Sequence, residues 1–305
     1  MRKKTKLTLV RIIGIMLLII LSLLFNQFIS ESEKNASKVV VKPTDIMEVH
    51  FIDVGQGDAI LVEVGNSTML IDAGEDNKGT IVKKYLDNQQ ITKLDYVIGT
   101  HPHSDHIGGL DTILDSFEVR KVLLPDVTHT TKTFEEVLDA LERHNLGITA
   151  PKVGDRYSLG QANFTILAPS MSDYDEINNH SIAIKLSFGD TAFLLAGDAE
   201  KLSEDEMIKT GINLSADVLK LSHHGSANSS SKNFLEAVDP SYSIVSVGKD
   251  NKYGHPHAEA LQALLDHDIK LYRTDKQGTV IFTTNGQTIS VNTQDYKITE
   301  QDLEQ

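Results

Sequence analysis

The feature that most restricts the fold is a train of short β-branched runs, each closed by turn residues. "MEVHFIDV", "AILVEV" and "TMLIDAG" come in succession, with Gly55-Gln56-Gly57 forming a tight turn between the first two. "LDYVIGT", "VRKVLLP", "ANFTILAP", "IAIKLSFG", "AFLLAGD", "ADVLKLS", "SYSIVSVG", "IKLYRTD" and "GTVIFTTNG" continue the series. Runs of this length and composition read as strands. Among them "TIVKKYLDNQ", "TFEEVLDALERHN", "EKLSEDEMIKTG", "FLEAVD" and "EALQALLDHD" read as helices. Strands in two groups with helices between them predict sheets covered by helices, an α/β (α+β) chain. No repeat of fixed period is present, and no linker-like break divides residues 46–291. That stretch is expected to be one domain, followed by a polar tail at 292–305.

The first residues belong to a different regime. Residues 1–11 carry five basic groups, and 12–29 are uncharged and mostly apolar. A basic flank before an apolar run reads as a signal anchor or signal peptide, with the basic end left in the cytoplasm. Residues 30–45 read as a polar linker, so the domain is expected outside the cell, tethered to the membrane or secreted. The chain has no cysteine. An exported domain without cysteine has no disulfide framework and must rely on core size or bound metal. Beyond residue 30 there are 24 basic against 43 acidic residues, net −19. Such a charge repels polyanions at long range and disfavours a broad DNA-binding surface.

The chemistry is concentrated in "THPHSDHIGG", Thr100–Gly109, directly after a strand. In near-extended backbone, residues two apart face the same way. His101, His103 and Asp105 are therefore expected to point together, with His106 at the turn that Gly108 and Gly109 permit. Three imidazoles and a carboxylate form a nitrogen/oxygen set suited to zinc, manganese or iron. Further ligand-type residues stand at strand ends: Asp72 in "LIDAG", Asp198 in "FLLAGDAE", and His223 and His224 in "DVLKLSHHGS". Taken singly, Asp198 reads as a helix cap, Asp72 as a turn residue and the histidine pair as a loop feature. Together with the cluster they favour one convergent site.

The set "HFIDVGQGDAILVE", "MLIDAG", "THPHSDHIGG", "NNHSIAIKL", "LLAGDAE", "LKLSHHGS", "VGKDNKYGHPH" and "YRTDKQGTV", in that order, resembles the metallo-β-lactamase fold superfamily. The likeness is greatest to the hydrolase-like domain of ComEC-type competence proteins, and bacterial phosphorylcholine esterases share much of it. The resemblance implies an αββα four-layer sandwich with two divalent metal ions at one edge, zinc first, with manganese or iron as alternatives. It implies that His101 and His103 hold one ion and Asp105 and His106 the other. Asp198 would bridge them, His224 would complete the second, and His223 would contact substrate. Asp72 would orient a ligand from behind, and Asp58 would help build the floor with Asp53 and Gln56. Many members have a further histidine ligand, for which His180 is the candidate here, because His129 lies in a polar loop and His144 on an amphipathic helix. His255 resembles a position near the site, as general acid or substrate contact, whereas His50, His257 and His267 read as structural or surface residues.

These expectations describe an extracellular, membrane-tethered dinuclear hydrolase that uses a metal-bridging hydroxide. A phosphodiesterase acting on a nucleotide, DNA or phosphocholine-type diester is the first reading. A carboxylic ester or lactone hydrolase on the same site is the alternative, and a non-catalytic tethered interaction module is a third.

Overall fold

A computed structural model describes residues 45–304; the apolar stretch 12–29 and most of the linker lie outside them. Among the described residues no helix is long and apolar enough to cross a membrane. The first half of the chain supplies β1 (Met47–Phe51), β2 (Ile60–Val64), β3 (Ser67–Ile71), β4 (Lys93–Leu94), β5 (Tyr96–Ile98), β6 (Glu118–Val119), β7 (Val122–Leu123) and β8 (Ile148–Thr149). Then come β9 (Arg156–Leu159), β10 (Ala162–Ala168), β11 (Ala183–Phe188), β12 (Thr191–Leu195), β13 (Val218–Lys220), β14 (Tyr242–Val245) and β15 (Lys270–Arg273). The hairpin β16 (Val280–Thr284) and β17 (Ile289–Val291) completes the strands.

Two large sheets result. One has the order β17-β16-β1-β2-β3-β5-β7-β8, and the other β15-β14-β13-β12-β11-β10-β9. The alternation of side chains along each strand explains why they stack. On β1, Met47, Val49 and Phe51 enter the central core, while on β3 Met69 and Ile71 face it and Leu70 faces the other way. On β12, Phe193 and Leu195 face the same core, whereas Ala192 and Leu194 face outward. A period-2 pattern with both faces apolar requires cover on both sides of each sheet.

Helices supply that cover. Gly79–Asn88, Leu110–Ser116 and Lys132–Arg143 pack on the first sheet through Val82, Leu86, Ile113, Val137 and Leu141. Lys201–Lys209, Lys232–Val238 and Ala258–Asp266 pack on the second through Met207, Phe234, Leu235, Leu261 and Leu264. Apolar residues three and four apart explain the stripe on Lys132–Arg143, and Thr131 caps it by accepting from the Phe134 amide at 3.4 Å. The architecture is an αββα sandwich.

The segment read as a polar tail is folded against the second sheet. The Tyr296 amide donates to the Leu271 carbonyl at 2.7 Å, and Tyr296, Ile298 and Leu303 pack on the outer core. Thr299 and Asp302 form a capping box, and Arg273, itself buried, reaches Asp302 at 3.1 Å. Three apolar side chains scattered through a polar segment suffice to dock it, although they make no periodic signal.

What places a site is strand direction. β3, β5, β7 and β8 run parallel in one sheet, and β12 to β15 run parallel in the other. Asp72, His101, Asp198, His223 and the loop after β14 therefore all lie just past the carboxyl ends of parallel strands. Such ends, where chain connections diverge, are where open α/β sheets bind ligands.

Candidate metal centre

After β5 the chain bends at His101 and Pro102, is extended at His103 and then turns at once into the short helix Ser104–Ile107. This differs from the extended spacing expected for Asp105. Asp105 and His106 sit on a helical turn, and it is the bend from strand to helix that brings them to the same centre as His101. The glycines after them make the bend close-packed. A Cβ on Gly108 would stand 2.3 Å from the Asp76 nitrogen, and one on Gly109 2.4 Å from the Ala73 oxygen. The Ala73 amide donates to the His106 carbonyl at 2.7 Å, so the β3 loop and the cluster are laced together.

Behind the cluster, Asp72 is fully buried. Its carboxylate accepts from the Thr100 amide at 2.8 Å, from the Thr100 hydroxyl at 2.7 Å and from His106 Nδ1 at 2.8 Å. A proton held on Nδ1 leaves His106 Nε2 as an electron-pair donor. That atom lies 3.2 Å from Asp198 Oδ2. The same logic operates across the site at His224, where Nδ1 meets the Ser246 carbonyl at 2.8 Å. Its Nε2 lies 3.4 Å from Asp105 Oδ2 and 3.6 Å from Asp198 Oδ2. His101 Nε2 lies 3.0 Å from His103 Nδ1 and 4.0 Å from Asp198 Oδ2.

Asp198 is the hub. The ligand atoms of His101, His106 and Asp198 lie within 4.8 Å of one another, as do those of Asp105, His106 and His224. His106 Nε2, His224 Nε2 and Asp198 Oδ1 are buried and make no hydrogen bond among the described residues. Buried polar atoms without partners are costly, and convergent imidazole and carboxylate atoms of this kind suit divalent cations. The residues present fit a pair of such ions.

The backbone after β13 is strained to suit. His223 and His224 both adopt left-handed conformations, φ 49° and 54°. Each costs of the order of 1–3 kcal/mol in a residue with a side chain. Gly225 follows at φ 79°, where a Cβ would stand 2.6 Å from Pro256. The strain turns His224 inward while its neighbour His223 faces the rim.

The charged groups of the centre act strongly on one another. Burial alone would lift Asp198, yet His106 and His224 hold it well below the ordinary carboxylate range. Burial would lower His106, but Asp198 and Asp72 carry it well above an ordinary histidine. His224 is likewise raised by Asp198 and Asp105 against its burial. His101 is lowered well below its usual value by burial and by His106, and His103 is lowered by burial. Asp105 is lowered, its burial outweighed by His224 and His106.

A cavity of about 250 Å³ opens over the centre, lined by Gln56, His103, Asp105, Asp198, His223, His224, Tyr253 and His255 among others. His223 Nδ1 lies 3.4 Å from Glu200, which also accepts from Asn178 at 3.0 Å; its Nε2 is 3.9 Å from Asp198. His255 stands with its ring 5.5 Å from that of His223 and stacks on Tyr253, and burial with His224 and His223 lowers it to about 4. Asn251 fixes this loop, donating to the carbonyls of Gly248 and His255 and accepting from the amides of Tyr253 and His255.

His180 is not brought to this centre. It is buried against Tyr174, with ring centroids 5.1 Å apart and its Nε2 3.4 Å from the Tyr174 carbonyl, and it lines a separate cavity with Asp126 and Met171. Its neighbour Ser181 is the residue that touches the site, through Oγ at 3.3 Å from His101 Nδ1 and as acceptor from the Asp198 amide. Asp58 lies in the floor, 3.9 Å from His106 Nδ1 and 3.7 Å from His224 Nδ1. Sequence reasoning does not reach Glu200, Asn178, Ser181, Ser246 or Lys220. Of these only Lys220 leaves a trace, as a charged residue inside the apolar run "DVLKLS".

Comparison with known proteins decides the family. Residues 52–249 match the Metallo-beta-lactamase superfamily. The chain belongs to that superfamily. ComE operon protein 3 of Bacillus subtilis is 33% identical over 76% of this chain, and Competence protein ComA of Neisseria gonorrhoeae 32% identical over 75%. The chain spans about a third of the length of these relatives, 32% and 31% respectively. Among solved structures, the diiron β-hydroxylase CmlA of Streptomyces venezuelae aligns with a TM-score of 0.52 at 17% identity, over 76% of this chain and 53% of its own. The metallo-β-lactamase fold protein YhfI of Bacillus subtilis aligns with a TM-score of 0.51 at 13% identity, over 81% of this chain and all of its own. At those identities the likeness concerns the fold. Within the metallo-β-lactamase frame, the competence-type sequences are the branch to which this chain is similar.

Proposed function

We propose that this domain is a dinuclear metal-dependent hydrolase of phosphodiesters that works outside the cell, tethered by the apolar stretch 12–29. The observation that carries the reading is Asp198 Oδ2, which lies 3.2–4.0 Å from the Nε2 atoms of His106, His224, His223 and His101 beneath an open cavity. His101, His103, Asp105, His106, Asp198 and His224 would hold the ions. Two divalent ions in such a site supply a water of lowered pKa and neutralise charge on a phosphoryl oxygen.

The protein's own groups do the rest. Asp72 and the Ser246 carbonyl fix the ring orientations of His106 and His224. His223, held by Glu200, and His255, held by the Asn251 loop, stand at the rim where a diester's leaving group would lie. Lys249 and Lys252 occupy that same loop and give an acidic protein a local attraction for phosphate. A relative named for competence supports a nucleic-acid or nucleotide diester over a choline one.

The test is hydrolysis of bis(p-nitrophenyl) phosphate by the soluble domain loaded with zinc or manganese, beside Asp105→Ala and Asp198→Ala. Turnover lost in both variants is expected. Cleavage of lactones or carboxylic esters with no diester turnover would move the same site to the other substrate class. No turnover on any of these despite bound metal would favour the interaction module.

A further inference from the structure

Lys220 is fully buried at the end of β13. Its Nζ lies 2.5 Å from Asp58 Oδ2 and donates to the Gly197 carbonyl at 3.4 Å. Lysine is almost never buried without a counter-charge, and a buried ion pair is weak evidence for stability, because desolvation offsets the attraction. A purely structural account leaves this pair unexplained in a floor that apolar residues would fill.

The surroundings of Asp58 explain it. Asp58, Asp72 and His106 offer ligand atoms within 4.8 Å of one another, all fully or almost fully buried, on the Nδ1 side of His106. This rival triad shares His106 with the upper one. A cation held there would draw on His106 Nδ1, the nitrogen that Asp72 uses to orient the ring, and would disturb the ring that both upper ligand sets share. Asp58 Oδ1 makes no hydrogen bond among the described residues and faces His224 Nδ1 at 3.7 Å, while its other oxygen is paired with Lys220.

We propose that Lys220 is a positioning residue that keeps Asp58 out of the coordination sphere. Its ammonium fills the place where a divalent ion would otherwise pair with Asp58, and thereby reserves His106 Nδ1 for Asp72. The selectivity of the site is thus built partly from a repulsive element, a fixed positive charge beneath the cations it must not admit. Lys220 also ties the floor to Gly197, the residue before the hub Asp198. The inference rests on the dinuclear-site reading, but it concerns coordination and does not depend on which bond the enzyme cleaves.

The test uses Co²⁺, whose visible spectrum reports coordination geometry, on wild type, Lys220→Gln, Lys220→Met and the double variant Asp58→Asn/Lys220→Gln. Glutamine keeps a hydrogen-bond donor to Asp58 without the charge, so it remains informative where the methionine variant fails to fold. Lys220→Gln is expected to show an altered spectrum, with a third equivalent bound or an affinity at the upper sites lowered about tenfold or more, the range for altered partners of metal ligands. Adding Asp58→Asn should return the spectrum and stoichiometry towards wild type. A Lys220→Gln protein that differs only in Tm, with unchanged spectrum, stoichiometry and affinity, would overturn the proposal. So would a double variant that stays altered, since Asp58 would then not be the agent. A wild-type protein that takes up no Co²⁺ would overturn this inference together with the metal-centre reading; two equivalents in every variant with one spectrum would overturn this inference alone.

Discussion

The floor and the rim of the cavity are built in opposite ways. The floor, Asp72, His101, His106, Asp198 and His224, is buried to within a few per cent and tied by short hydrogen bonds to Thr100, Ser181 and Ser246. The rim is more open: His223 is 23% exposed and Tyr253 50%, and between them His255 is buried but lines the cavity. Floor residues come from strand ends shared by two sheets, whereas Tyr253 and His255 stand on one loop organised by Asn251. The difference teaches a division of labour. A buried, hydrogen-bonded floor holds charge in place, and a more accessible rim meets whatever the floor acts upon.

The sharpest way to break this division is at the hub. Asp198→Ala removes the carboxylate that stands 3.2–4.0 Å from the Nε2 atoms of His106, His224 and His101. Metal content should fall from about two ions per chain to below one, and diester hydrolysis by at least about a thousandfold, because metal supplies both nucleophile and charge stabilisation. Mass-spectrometric metal counts alongside turnover would check it. Retained metal with full activity would place the hub elsewhere.

One step outward, Asp72→Asn should lower metal affinity by about 10–100-fold, since the proton on His106 Nδ1 loses its anionic acceptor. Competition with a chelator reads this directly. At the rim, His223→Ala should keep both ions and lower kcat by about 10–100-fold, the low end of proton-transfer and contact effects. Metal loss in that variant would erase the distinction between floor and rim. The smallest effect is expected for Tyr253→Ala, a change of a few fold in KM with kcat nearly unaltered, as for a contact made equally in ground and transition states.

Acidity separates the two regions as well. His106 and His224 have raised folded values, so in the apo protein their pairing with Asp198, Asp72 and Asp105 is fully present below about 6.5, the unfolded histidine value. It is lost as pH rises through the folded values. Apo stability should therefore fall as pH rises above that point, while metal binding, which displaces those protons, should strengthen. Calorimetric titration in buffers of different ionisation enthalpy would show proton release on metal uptake. An uptake that releases no protons near neutral pH would contradict the charge state assigned to the empty floor.

Much of this was legible in the sequence. Alternation along "MEVHF" and "AFLLAGD", together with helical spacing in "TFEEVLDALERHN", is local information, and it dictates two sheets with outer helices. Asp72, the cluster, Asp198 and the histidine pair were visible because each ends an apolar run. What escaped depends on contacts between distant segments. Glu200 matters only because the left-handed turn at His223 presents that ring to it, and Ser246 acts through a backbone carbonyl, which carries no sequence signature. His180 stands next to a strand, as a ligand should, yet its ring turns to Tyr174 and leaves Ser181 at the site. The docking of residues 292–304 was hidden because Tyr296, Ile298 and Leu303 follow no single period.

The central claim is that Asp198, within 4.0 Å of His101, His106 and His224, would serve two ions in the floor, and equilibrium dialysis against Zn²⁺ or Mn²⁺ tests it most directly. Wild type should bind about two ions per chain and Asp198→Ala fewer than one, with both proteins folded. Two ions in both, or none in wild type, would contradict it.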